Sequence, residues 1–159
     1  MLERVKRGTV AGLAAGVSVA VFVLVYDFVR MDPLATPRLF AGGLLGTPVD
    51  VSGDLGTLAW VASIATATWS LTLYALAHFA LFVLIGLAGA WLFRPGGVRA
   101  NVITGALYGG VVGSALVYGG LALLTPAFVV LPDWRLVLAA NAVAGVVLVS
   151  QLVDHPEPD

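Results

Sequence analysis

Apolar residues run through this chain in blocks too long for a water-soluble core. They occupy residues 8–29, 57–93, 102–124 and 134–153, with polar, proline- or glycine-broken segments between them. Each block reaches the roughly 20 residues that a helix needs to cross a hydrocarbon core of about 30 Å. The second is longer: as one helix it would measure about 55 Å, nearly twice that core. Its spanning part is assigned to residues 69–93, with Trp69 and Trp91 near its ends, where amphipathic rings favour the headgroup level. Residues 58–68 then either protrude from the membrane or form a separate interfacial helix.

The breaks carry their own chemistry. Asp32-Pro33 stops the first helix, and Thr36-Pro37 reads as an N-cap followed by proline at the first helical position. The short run 37–45 predicts an interfacial helix stopped near Gly46, followed by a loop over 47–56. Arg94-Pro95-Gly96-Gly97 makes a sharp turn and Thr125-Pro126 stops the third helix. Pro132-Asp133-Trp134 opens the fourth, with Asp133 as N-cap, and a polar tail over 154–159 follows. The expected architecture is one all-α membrane domain over residues 1–159. It is a bundle of four transmembrane helices (8–29, 69–93, 102–124, 134–153) with a short interfacial helix on the outer face.

Two helices carry glycine at every fourth position: Gly8, Gly12 and Gly16 in the first, Gly105, Gly109 and Gly113 in the third. Such ladders let backbones approach closely in lipid, where packing drives association. They hint at two parallel hairpins, although the halves show no match beyond these glycines.

Composition narrows the class. The chain is 60% hydrophobic and 11% charged, with a mean hydropathy of +1.01, whereas a soluble domain is about 25% charged. A net charge of −1, with no basic face, argues against a nucleic-acid partner. The absence of cysteine removes disulfides, thiolate metal sites and cysteine nucleophiles. The basic start, Met1 to Arg7, resembles a signal-peptide n-region, but the apolar run after it is too long and lacks a small-x-small cleavage site. It reads as a retained first transmembrane helix. Arg4, Lys6, Arg7, Arg94 and Arg99 fall on one side of the membrane, and Arg30, Arg38 and Arg135 on the other. The first side should be cytoplasmic, with both termini inside.

Candidate chemistry concentrates in one layer. His78, Asn141 and Tyr118 each lie roughly 10 Å below the outer ends of their helices. His78 shares a helix face with Gly89, and Asn141 shares one with Gly145, so both are expected to point at neighbouring helices. Tyr118 lies ~140° around its helix from the glycine ladder. An intramembrane ionisable group marks a functional-site hypothesis by default. The layer is read as interhelical hydrogen bonding, as a site for a single-ligand tetrapyrrole (pigment or haem) or a quinone, or as a proton or ion path. A bis-ligated haem within one copy is excluded, because His78 is the single intramembrane histidine and Met1 and Met31 fall outside the spans. Asp27 is expected to pair with Arg30, three residues on; the other reading makes it a buried partner of His78. No nucleophile–base pair, carboxylate pair or metal cluster is assembled, so an enzyme is not expected.

The run Tyr74-Ala-Leu-Ala-His78-Phe-Ala-Leu-Phe82 with Gly86, the segment Pro33-Leu-Ala-Thr-Pro37, and Asn141 together resemble a loose group of small bacterial four-helix integral membrane proteins. The resemblance implies an architecture and a bacterial inner-membrane location, and supplies no catalytic residues. The expected role is a non-catalytic membrane subunit working with other membrane subunits in a larger assembly. The alternatives are an accessory subunit with a cofactor near His78, and a small transporter or channel.

Because the chain has no native cysteine, its orientation can be read by labelling single introduced ones. In intact cells a membrane-impermeant thiol reagent is expected to label a cysteine at Gly53 and to spare those at Gly97 and Glu157; the opposite pattern inverts the topology.

Overall fold

The structure is a computed structural model that describes residues 1–46, 48–51, 54–93, 99–124 and 132–153. The expected turn at Arg94 to Gly97, the stop at Thr125-Pro126, the tail over 154–159, and Thr47, Ser52 and Gly53 of the loop lie outside these residues. Every regular element described is helical: α1 (Leu2–Val29), α2 (Ala35–Leu45), α3 (Leu58–Leu92), α4 (Val102–Leu107), a π-helical turn (Tyr108–Gly113), α5 (Ser114–Leu124) and α6 (Trp134–Val153). Among the described residues, with α4, the π turn and α5 counted as one run, four helices are long and apolar enough to cross a membrane. The protein is a multi-pass membrane protein.

Several boundaries differ from the sequence expectation, each for a local reason. α1 begins at Leu2 rather than near residue 8, and its charged first turns place Arg4 over the Trp91 ring, 5.1 Å from the centroid. α3 is unbroken from Leu58, started by Thr57, whose side chain accepts the Trp60 N–H at 3.2 Å. Nothing between 58 and 68 is glycine or proline, so the apolar stretch before Trp69 simply continues the spanning helix. α2 begins at Ala35, not at Pro37, and its N-cap is Leu34 in the left-handed region (φ 69°). Thr36 is therefore inside the first turn rather than capping it. The third run, expected to be regular, contains the π turn, in which hydrogen bonds skip one residue more than in an α-helix.

Glycine contacts join the helices in two pairs. In the first pair, a Cβ on Gly86 of α3 would fall on the Gly8 carbonyl oxygen and lie 2.6 Å from both N and Cα of Gly12. In the second, a Cβ on Gly145 of α6 would fall on the Gly105 carbonyl oxygen and lie 2.7 Å from N and 2.8 Å from Cα of Gly109. The same three atoms, four residues apart, meet a glycine in each case. In both pairs the hydrogen in place of Cβ points at a carbonyl oxygen, the arrangement of a weak Cα–H···O contact. The match between halves thus extends beyond the ladders, to Gly86 and Gly145. Their equivalence was hidden because the ladder-facing glycine of α3 is Gly86. Gly89, singled out from the sequence, faces Leu148 and Tyr108 instead.

α1 and α6 pack against each other and join the two pairs, with Ala11, Ala15, Ala140, Ala144 and Leu148 buried in the core. α3 and the third run stand across from each other more loosely, tied by the Tyr108 hydroxyl, which donates to the Ile85 carbonyl at 2.9 Å. Beyond the π turn, α5 leaves α6, and α2 lies against α3, α1 and α5 at that end. The bundle is closed at the glycine end and spread at the α2 end.

Filling a backbone contact forces the pair apart, and overpacking typically costs ~1–3 kcal/mol. Gly86→Leu and Gly145→Leu should each lower the melting temperature in detergent markedly. Gly119→Leu, where a Cβ meets nothing within 4 Å, should leave it nearly unchanged. Equal melting of all three variants would contradict the backbone contacts.

Candidate functional site

The spreading of the helices opens a cavity of about 190 Å³ below α2. All the long helices contribute: Val19 and Val23 from α1, Tyr74, His78 and Phe82 from α3, Val117 and Gly120 from α5, and Val137 and Asn141 from α6. Thr36, Phe40 and Leu44 of α2 cover its upper wall. The wall between α3 and α5 is the open one. Ala77 and Leu116 line the cavity there and are exposed, and a Cβ on Gly120 would meet nothing within 4 Å.

His78 lies half-buried on the α1 side of the cavity. Its Nε2 is 3.0 Å from the Gly16 carbonyl oxygen. A carbonyl oxygen can only accept, so Nε2 carries the proton and Nδ1 is the lone-pair nitrogen of the neutral ring. The ring is held among aromatics, with centroids at 5.8 Å from Tyr74, 5.2 Å from Phe79 and 4.8 Å from Phe82. Phe40 of α2 stacks on Tyr74 at 5.8 Å, extending this aromatic wall upward. Gly16 makes the contact possible, because a Cβ there would press within 3.1 Å of Phe79 and 3.2 Å of Phe82.

Asn141, 4% exposed, lies on the opposite side. Its Nδ2 donates to the Val137 carbonyl one turn earlier at 2.9 Å, and its side chain lies against Gly113. The structure therefore brings His78 and Asn141 to one cavity, but the recorded partner of each is a backbone carbonyl rather than the other. Tyr118 is not with them: its hydroxyl donates to the Pro132 carbonyl at 3.0 Å and does not line the cavity. The π turn helps to explain this, since one extra residue in that turn changes the phase of everything after it relative to a regular 3.6-residue count.

Asp27 departs from both sequence readings. It is 2% exposed, and its carboxylate accepts the Thr36 backbone N–H at 2.8 Å and the Thr36 hydroxyl at 2.7 Å. It thus caps the first turn of α2 from a different helix, where an anion meets the positive end of the helix dipole. Arg30 donates to the Tyr26 hydroxyl at 2.7 Å instead. The turn that Asp27 bridges contains two non-glycine residues at positive φ, Met31 (61°) and Leu34 (69°). Each such residue costs of order 1–3 kcal/mol, so the carboxylate holds a strained connection closed. Arg38 pairs with Asp32 on the exposed side of the same turn, a contact of small worth at that exposure.

The sequence reading missed two tyrosines of this region. Tyr74 stands one turn before His78 on the same face, as its spacing predicts, but was not counted among the site residues. Tyr108 bonds across the bundle through a π turn that no local pattern announces. Among the described residues, no group of three or more His, Asp or Glu side chains is placed to hold a metal ion. No protein family, curated protein or solved structure matches the chain.

Removing Asp27 leaves two buried donors of Thr36 unpaired, each costing about 1–3 kcal/mol. Asp27→Ala should therefore lower the melting temperature strongly, whereas Arg30→Ala should change it little. A large loss in Arg30→Ala with a mild one in Asp27→Ala would restore the ion-pair reading.

Proposed function

We propose that this is a non-catalytic, accessory membrane protein that houses a lipophilic molecule in the cavity below α2. The observation that carries the reading is the cavity itself. It is apolar on most of its wall, gathers His78 and Asn141 on opposite sides, and is open towards lipid between α3 and α5. Binding sites for small molecules typically combine apolar walls with a few fixed polar groups.

Size decides between the ligands considered. An engineered apolar cavity of about 150 Å³ accepts one benzene ring, so 190 Å³ accommodates a single ring with a tail leaving through the gap. A four-ring macrocycle exceeds this enclosed volume. The tetrapyrrole reading is therefore set aside in favour of a single-ring head group. A continuous pore through one copy is also disfavoured, because the glycine contacts close the bundle backbone to backbone beyond the cavity.

A second feature supports membership of a larger assembly. α3 has 35 residues and measures about 52 Å against a core of about 30 Å. Its first turns are apolar, and Leu58 is 85% exposed. A neighbouring subunit would cover this extension, and tilting would absorb part of it. An interfacial position for α2, a bacterial inner membrane and cytoplasmic termini belong to the same proposal.

Native mass spectrometry of the protein, extracted from its own membranes in mild detergent, tests both parts. The expected spectrum shows the chain with a bound mass extractable into organic solvent, and with further membrane proteins at fixed ratio. A bare chain that carries neither would overturn the reading.

A further inference from the structure

Resting on the cavity reading above, the geometry points to one ligand class: a single hydroxylated ring on an apolar tail, a phenol or quinol rather than a quinone or an ether. The argument is one of unspent hydrogen-bonding capacity. The single proton of the neutral His78 ring is committed to the Gly16 carbonyl, which leaves Nδ1 able only to accept. Thr36 spends both its N–H and its hydroxyl proton on Asp27. Asn141 spends one of its two Nδ2 hydrogens on Val137 and lies across the cavity from His78. Tyr74 and the second Nδ2 hydrogen of Asn141 can each meet a ligand oxygen, but the acceptor nitrogen of His78 is the one group that only a donor satisfies.

An unpaired acceptor on a half-buried ring at the cavity wall favours the ligand that brings it a donor. A head group that carries only carbonyl or ether oxygens sets acceptor against acceptor, and leaving a buried polar group unpaired is penalised more than a made bond is rewarded. The remaining wall suits a ring. Phe40, Tyr74 and Phe82 present aromatic surface, and aromatic rings gain from offset or edge contacts beyond simple burial. The cavity holds about one ring, and the α3–α5 gap leads an attached chain into the bilayer. Among the described residues, the side chains lining the cavity carry no cation to hold an anionic head group, so the neutral hydroxyl form is the one selected.

Two probes of matched shape isolate the donor: 4-decylphenol and its methyl ether, 4-decylanisole. The rise in melting temperature of the purified full chain, at fixed detergent and increasing probe, gives an apparent Kd for each. The wild type should bind the phenol about tenfold or more tightly than the ether. In His78→Phe, which keeps a ring but removes the acceptor, this preference should fall to about twofold or less. Gly120→Leu, which adds a side chain at the cavity wall, should weaken both probes together. Equal binding of the two probes to the wild type overturns the assignment without recourse to any variant, and so does a preference that survives undiminished in His78→Phe. If both probes bind equally and Gly120→Leu blocks both, the ligand class is wrong while the cavity reading stands. If neither probe binds the wild type, both fall.

Discussion

Two glycine-to-backbone contacts set the shape on which everything else depends. In lipid, the hydrophobic effect does not distinguish one apolar helix face from another, so helices associate where their backbones can approach most closely. Gly86 meeting Gly8 and Gly12, and Gly145 meeting Gly105 and Gly109, provide that approach twice with the same atoms. Both contacts lie at the same end of the bundle. Helices clamped at one end diverge at the other unless large side chains fill the space. Here the space is only partly filled, and the short helix α2 lies over it.

The position of α2 follows from a second, electrostatic constraint. Asp27 sits at the end of a membrane helix, where a bare carboxylate is costly. The chain resolves this by folding back through a strained turn, so that the first turn of α2 offers the carboxylate a backbone N–H and a hydroxyl. The interaction serves both partners: the carboxylate is satisfied and the helix gains a cap. Phe40 is thereby brought onto Tyr74 and the aromatic wall beside His78 is completed. The cavity thus has a rigid floor made by glycine contacts and a cover held by one carboxylate.

Much of the architecture was legible in the sequence, because transmembrane length and apolarity are local properties. The glycine ladders were legible for the same reason: a repeat of four is visible along a single helix. What the ladders touch was not, since Gly86 and Gly89 are equally apparent in sequence and differ only in which neighbour each faces. The role of Asp27 was misread because the nearest opposite charge, Arg30, is three residues away, whereas its true partner is nine residues away across a turn with two left-handed residues. His78 and Asn141 were found by depth and facing, and both do line one cavity. Tyr118 was grouped with them by depth alone, which cannot register a change of helical phase between Tyr108 and Gly113.

That change of phase separates two tasks along a single membrane helix. Up to its end, the glycines of α4 and the π turn lie against α6; after it, Val117, Gly120 and Leu121 of α5 line the cavity. The two surfaces are set at an angle that a regular helix of the same sequence would not produce. Winding these six residues as ordinary α-helix would rotate α5 by roughly 100° relative to α4, whereas deleting one residue within the turn would remove the extra residue and leave α5 facing nearly as it does. In the first case the cavity would lose that wall; in the second it would keep it. The extra residue held in the turn thus sets the angle between the glycine seam and the cavity wall.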